Sequence, residues 1–273
     1  MIWIAAGTEE GRRIAKALAE KDQEIMVSVT TEYGGSLLRR ELEDQARDKG
    51  THEKTDKTNN KWKIIDHALD YQAMERVLEE YPITKIVDAT HPYADLVSKN
   101  LIALAEENAV SYFRYERGSL KELIQKEIPE HKKDVLWVKN TEEAIEALSK
   151  SRGNVLLTTG SKTLGDYLDA LEVSRIYARV LPVPKVMEKC KALGLPPGQI
   201  LGMQGPFSTA FNRSTLKEYN IESLVTKDSG LTGGVPEKIQ GALEAKVQMI
   251  IIDRPAVDYP RVFSDIETLI EQL

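Results

Sequence analysis

The sequence predicts an α/β protein made of two Rossmann-like domains with mainly parallel sheets. Short β-rich runs alternate with helical patterns along almost the whole chain, and alternating βα units fold as parallel sheets with helices on both faces. About a dozen strand candidates fall within 273 residues, which suits two small sheets better than one very wide one. The alternation also restarts after a charge-rich stretch at 116–134 containing Pro129. That stretch is the expected seam, with domains at 1–117 and 118–273.

The elements follow in order. Residues 1–6 read as a buried strand, Gly7 and Thr8 as its turn, and 9–21 as a helix with Ile14, Ala17 and Leu18 on one face. Strand candidates at 24–29, 63–65, 85–89 and 110–113 alternate with helices at 37–47, 71–80 and 94–108. The last helix carries Leu96, Leu101, Leu104 and Ala105. The polar run 46–60 lacks a hydrophobic period and reads as a surface excursion. In the second half, strands at 135–138, 155–159, 175–180, 199–203, 223–227 and 247–253 are separated by helices at 142–150, 163–171, 185–193, 209–219 and 236–245. A helix at 264–272 closes the chain. The crossovers are expected to be right-handed.

Composition narrows the function. Hydrophobic residues make up 41% and charged residues 29%, as in ordinary soluble proteins. A net charge of −6 argues against nucleic acid as the main partner. Cys190 is the only cysteine, so there is neither an internal disulfide nor a cysteine-rich metal site. His52, His67, His91 and His131 form no metal-spaced pair, and no metal site is expected. No apolar stretch reaches 18 residues, so no membrane span is expected. The N-terminus turns acidic at once and does not read as a signal peptide. A reducing cytoplasm is the expected setting.

Five turns after strands carry candidate chemistry. Asp88-Ala89-Thr90-His91-Pro92-Tyr93-Ala94 places a hydroxyl, an imidazole, a proline and a phenol where open parallel sheets bind ligands. Pro92 holds His91 away from helical geometry, and imidazole is the residue type suited to acid–base work near neutrality. The structural alternative for His91 is a hydrogen-bonding brace, and Asp88, at the end of the strand, reads as a brace of the turn. Gly7-Thr8-Glu9-Glu10-Gly11 could meet a phosphate, but its two carboxylates also suit helix capping or substrate contact. Thr158-Thr159-Gly160-Ser161-Lys162 is the better anion loop, with a permissive glycine, a capping or donating serine and a point charge. Gly202-Met203-Gln204-Gly205-Pro206-Phe207-Ser208 and Thr226-Lys227-Asp228-Ser229-Gly230-Leu231-Thr232-Gly233-Gly234 are further ligand-loop candidates. Arg114, Arg117, Arg179, Lys185, Lys227 and Arg254 lie beside strand ends. Each alone reads as a surface charge; together they could line a cleft for an anionic ligand.

In combination these motifs resemble the precorrin-6A reductase family of cobalamin biosynthesis. The resemblance runs through GT at 7–8, DATHPYA at 88–94, RYERG at 114–118, LLTTGSK at 156–162, ARVLP at 178–182, GMQGPFS at 202–208, TKDSGLTGG at 226–234 and IIDRP at 251–255. TTEYG at 30–34 looks more like the cobalt-precorrin-6A branch. The run 46–60 departs from the family's compact form.

The resemblance implies an NADPH-dependent oxidoreductase that reduces a C=C bond of a carboxylate-rich tetrapyrrole, precorrin-6A or its cobalt form, with the site in a cleft between the two domains. On that reading Thr159, Gly160, Ser161, Lys162, Gly205, Ser208, Gly233 and Gly234 hold the cofactor. Thr90, Arg114, Arg117, Gln204, Lys227 and Ser229 meet the substrate, and His91 and Tyr93 are the catalytic candidates. A tetrapyrrole methyltransferase and a non-catalytic tetrapyrrole- or nucleotide-binding module are the alternatives; NADPH oxidation on adding the macrocycle separates the three.

Overall fold

β1 (Ile2–Ala5) is buried at all four positions, as expected of a central strand in a parallel sheet covered on both faces. Ile2 and Ile4 point into one core with Ile14, Leu18, Val27 and Leu38. Trp3 and Ala5, one residue out of phase, point into another with Met74, Ile86, Leu101 and Leu104. The computed structural model describes residues 1–48, 61–127, 134–230 and 234–273. It divides into two compact units, 1–117 with 256–273, and 118–255.

In the first unit β1 lies between β2 (Ile25–Ser28) and β4 (Lys85–Asp88). β3 (Trp62–Ile65) extends one side, and β5 (Ser111–Tyr115) then β12 (Val262–Phe263) extend the other, with every pairing parallel. The helices are α1 (Glu9–Glu20), α2 (Glu32–Asp48), α3 (Tyr71–Glu80), α4 (Asp95–Glu107) and α11 (Ile266–Glu271). The order β3-β2-β1-β4-β5 reverses direction between β1 and β4, so the turns after those two strands flank the switch point where open α/β sheets take ligands.

The second unit repeats the plan. β7 (Asn154–Leu157) is flanked by β8 (Ile176–Val180) and β10 (Ile221–Lys227); β9 (Ile200–Gly202) lies outside β8, and β11 (Gln248–Ile252) then β6 (Val135–Val138) lie outside β10. All pairings are again parallel, and the switch point lies between β7 and β10. The helices are α5 (Leu120–Glu127), α6 (Thr141–Ser149), α7 (Leu164–Ala170), α8 (Pro184–Ala192), α9 (Thr209–Glu218) and α10 (Val235–Ala245).

The structure corrects the sequence reading in four places. The domain expected over 118–273 ends at 255: Val262 and Phe263 pair with Arg114 and Tyr115, and Leu269 joins the first unit's core. A strand this short has too few residues to show a period. The charged seam contains α5, whose Leu120 and Ile124 are buried in the second core with Leu123 packed against it, while Lys121, Glu122, Lys126 and Glu127 carry its charge. α2 begins at Glu32, so TTEYG enters the helix, with Thr31 accepting from the Gly34 N–H at 3.1 Å. α7 begins at Leu164 after Thr163, so Ser161 is not its cap. Of the polar run 46–60, residues 46–48 finish α2 and the rest lies outside the described residues, as does 128–133 of the seam.

Close approach of α1 to β1 requires Gly11. A Cβ there would lie 2.8 Å from both Cα and Cβ of Ala6, which the adjoining turn cannot yield without moving backbone. Gly11→Val is expected to cost about 1–3 kcal/mol in urea denaturation, the usual penalty of overpacking; an unchanged midpoint would contradict this packing.

Candidate ligand sites at the two sheet switch points

In the first unit, Thr8 ties the two switch-point turns together. Its hydroxyl donates to the carbonyl of Ala89 at 2.9 Å and accepts from the Gly11 N–H at 3.2 Å, capping α1. The helix is thus capped by Thr8 and not, as in the capping alternative, by the carboxylates of Glu9 and Glu10. Glu10 is buried and pairs with Arg117 at 3.3 Å.

The turn after β4 is built on a buried carboxylate. Asp88 is fully buried at the last position of β4. Its Oδ1 accepts from Arg114 Nη1 at 2.8 Å, Thr90 Oγ1 at 2.7 Å and the Thr90 N–H at 3.0 Å, and its Oδ2 accepts from the Tyr112 hydroxyl at 2.7 Å. Arg114 also donates from Nε to Glu116 at 2.9 Å and lies 4.9 Å from the Tyr259 ring centre. Burial opposes its charge, but the Asp88 and Glu116 carboxylates outweigh that and hold its pKa above the ordinary value. Burial first, and the Asp88 charge second, push the Tyr112 phenol well up.

These contacts correct the expectation for Arg114. It is fully buried and engaged by two carboxylates, so it braces the turn from within and does not face a ligand. Arg117 is likewise held by Glu10 and is largely buried.

His91 is partly exposed at the turn's outer edge, and its Nδ1 accepts the Tyr93 N–H at 3.2 Å. In the neutral imidazole the proton therefore sits on Nε2. The Tyr93 ring centre lies 5.8 Å from that of His91. Thr90 and His91 line a cavity of about 240 Å³ with Gly7, His67, Trp3 and Leu101. Its walls are mostly apolar, with polar groups towards the turns.

The second unit presents different chemistry. Gly160 has φ of +81°, a left-handed conformation that favours glycine, and open space where a Cβ would stand. Thr159 is buried, and its hydroxyl has no hydrogen-bond partner among the described residues. Ser161 is partly exposed and Lys162 exposed. After β9, Gln204 and Gly205 are exposed, and Ser208 caps α9 by accepting from the Phe211 N–H at 3.2 Å. After β10, Asp228 is buried; its Oδ1 accepts from the N–H groups of Leu120 and Gly230, both at 3.1 Å, and from Arg254 at 3.4 Å. Lys227 and Ser229 flank it, partly exposed. Burial, and then Lys162, lower the Lys227 pKa. Gly234 has φ of +79°, and a Cβ there would lie 3.0 Å from Pro206. Gly233 lies outside the described residues.

A second cavity of about 240 Å³ joins these strand ends. Thr158, Gly160, Arg179, Gly205, Phe207, Gly234 and Lys238 are in its wall. Arg179, in β8, donates from Nη1 to Asn212 at 2.9 Å and lies 4.7 Å from the Phe207 ring centre. Asn212 is buried and is itself fixed by donating to the carbonyls of Phe207 and Ser208. Lys238, in the second turn of α10, donates to Thr226 at 2.9 Å. Burial lowers the Arg179 pKa to about 10. Burial, and then the Arg179 charge, lower that of Lys238 to about 7.

The structure therefore brings Gly160, Gly205 and Gly234 to one cavity wall and Thr90 and His91 to another. The sequence reading took Phe207 only as part of a ligand loop, gave no site role to Lys238 or Asn212, and placed Arg179 only among strand-end cations. Helical phase carried the missing signal for Lys238: it lies three residues after Val235 and one before Ile239, both buried, so it borders the inward face of α10.

The chain matches the family model described as precorrin-6x reductase CbiJ/CobK over residues 1–56 and 49–273. It is 35% identical to the cobalt-precorrin-6A reductase of Methanocaldococcus jannaschii, covering 99% of this chain and 96% of that protein. It is 33% identical to the protein of the same name from Priestia megaterium, covering 100% and 98%. A solved structure titled CobK precorrin-6A reductase matches with TM-score 0.72 at 21% identity, over 99% of this chain and 94% of the other, and supports the fold.

The lowered Lys238 pKa makes a stability prediction. Between about 7 and the ordinary value of 10.5 the unfolded chain holds more protons at this residue than the folded one, so its contribution to stability rises with pH across that window. Lys238→Met is expected to raise Tm relative to the parent protein by more at pH 6 than at pH 10. A difference independent of pH would contradict the burial of this charge.

Proposed function

Because the chain belongs to the precorrin-6x reductase family CbiJ/CobK, we propose that it is a cobalt-precorrin-6A reductase that draws its hydride from NADPH. The observation that carries this reading is end-to-end similarity to curated relatives bearing that name, at 33% and 35% identity. Family membership favours reduction over the methyltransferase and carrier alternatives. The product is cobalt-precorrin-6B, one C=C bond more reduced, in cobalamin biosynthesis. Among the described residues no helix is long and apolar enough to cross a membrane; we place the reaction in the cytoplasm.

The two cavities support a division of work. In the second unit, Thr159–Lys162, Gly205 and Gly234 hold the dinucleotide, with Ser208 shaping the loop as the cap of α9. The fit rests on Arg179 and Lys238, cations with no carboxylate partner among the described residues, beside a glycine with room above it. NADPH supplies the hydride when bound. The first unit's apolar cavity suits the edge of a flat macrocycle. Its first switch-point turn carries Glu9 and the buried Glu10, which disfavour a phosphate.

Thr90, His91 and Tyr93 face the macrocycle on this reading. The Nε2–H of His91 is a donor for a substrate carboxylate or a proton source at the reduced carbon. Lys227, Ser229 and Gln204 remain partly or fully exposed and able to meet peripheral acetate and propionate groups.

Two measurements test this. Under anaerobic conditions, cobalt-precorrin-6A is expected to drive oxidation of NADPH with one equivalent of dinucleotide consumed per macrocycle; binding of both without turnover would overturn the reductase reading. His91→Ala is expected to raise KM for the tetrapyrrole about tenfold, the value of one charge-assisted hydrogen bond, with NADPH affinity unchanged. Unchanged KM and kcat would remove His91 from the site.

A further inference from the structure

We infer that Arg254 is a positioning residue: it clamps both passages of the chain between the two units to the candidate ligand turn after β10, and so couples the occupancy of that turn to the freedom of the passages. The inference rests on the proposed reaction in one respect, that two reactants held by different units must be brought together for hydride transfer.

The chain passes from one unit to the other twice, at 117–118 and at 255–256. Residues 116–119 and 253–259 have no regular secondary structure, and hinges are a few loop or element-terminal residues of this kind. In the second unit Arg254 holds the near end of both passages. Its Nη2 donates to the carbonyl of Gly118 at 3.0 Å, and its Nε to the carbonyl of Asp228 at 3.2 Å. The Asp228 carboxylate meets Arg254 Nη2 at 3.4 Å and accepts the N–H of Leu120, two residues past Gly118, at 3.1 Å. Lys121 and Asp253, 3.3 Å apart, add a more exposed link between the same two stretches of chain. Arg254 stands directly before Pro255, whose ring fixes φ where the second passage begins.

In the first unit the far ends are held at the switch-point turns. Arg117 pairs with Glu10, in the first turn of α1, at 3.3 Å. The Tyr259 ring lies over Arg114, 4.9 Å from its centre, and Arg114 grips Asp88 at 2.8 Å and Thr90 at 3.2 Å. One peptide link therefore joins the held Arg117 to the held Gly118, and only 255–258 separate the held Arg254 from Tyr259. A guanidinium suits the shared anchor. Its rigid fork of five donors can serve two carbonyls and a carboxylate at once, whereas an ammonium is a point charge on a flexible stem. A ligand that orders the turn at 226–230 fixes Asp228, Asp228 fixes Arg254, and Arg254 fixes both passages. By linkage the coupling is reciprocal, so that fixing the passages favours the occupied turn.

Hydrogen exchange and single-turnover kinetics test the clamp. In the parent protein, NADP⁺ and cobalt-precorrin-6A together, which cannot react with each other, are expected to slow exchange in peptides covering 116–121 and 253–259 as well as at 226–230. Arg254→Gln and Arg254→Lys should keep the protection at 226–230 and lose it at 116–121 and 253–259. Each variant should bind NADPH and the tetrapyrrole separately within a few-fold of the parent. The single-turnover rate of hydride transfer should fall about tenfold, the value of one hydrogen bond to a charged group. Arg254→Lys keeps a charge opposite Asp228 and carries the test if circular dichroism shows Arg254→Gln unfolded; if neither folds, exchange in the parent protein decides. Unprotected passages in a parent protein that turns over, or a parental rate in Arg254→Lys, overturns the clamp. So does a raised Kd for one reactant with the rate unchanged, which would make Arg254 a direct ligand contact. Absence of turnover in the parent protein overturns the reductase reading, and the inference with it.

Discussion

A buried carboxylate at the end of the fourth strand of each Rossmann order is the constraint on which both candidate sites depend. Asp88 ends β4, and Asp228 directly follows β10. Each gathers N–H groups of its own turn, and each meets an arginine from the neighbouring strand or its end: Arg114 in β5 and Arg254 after β11. An unpaired carboxylate would be costly at these depths. The pairing fixes the path of the chain where it leaves the sheet, and so the positions of the neighbouring groups, of which Thr90 and His91 line the first cavity. Thr90 and His91 in one turn, and Lys227 and Ser229 in the other, adjoin these carboxylate–arginine pairs.

On this shared scaffold the cavities have opposite characters. The first is floored by Trp3, Met74 and Leu101, and carries imidazole and hydroxyl groups at its edge. The second has glycine backbone, Arg179 and Lys238 in its wall. A reductase of a tetrapyrrole with a dinucleotide needs both surfaces, one for an apolar ring bearing carboxylates and one for phosphates. The net charge of −6 does not oppose this, because the cations that matter are few and concentrated at one set of strand ends.

Much of the fold was legible in the sequence because parallel strands covered on both faces are short apolar runs, and the chain alternates them with helical periods. The runs at 2–5 and 249–252 are apolar throughout and read at sight. β12 was not legible, since two residues carry no period and only pairing with β5 defines them. The glycine turns were legible as turns because Gly160 and Gly234 stand at strand-to-helix junctions, and both have the positive φ that favours glycine. Arg114 misled: a cation beside a strand end reads the same whether it points to solvent or into a carboxylate, and only its contact with Asp88 decides. Arg179 of β8 and Lys238 of α10 line one cavity although 59 positions apart in the chain, a proximity no local pattern contains.

The dinucleotide is proposed to occupy the second unit's switch point. Hydrogen exchange followed by mass spectrometry, with and without saturating NADPH, tests it most directly because it needs no substitution. Slowed exchange is expected in peptides covering 158–163, 179–183 and 204–209, with no change in those covering 7–11 and 88–94. Protection confined to 7–11 and 88–94 would contradict it.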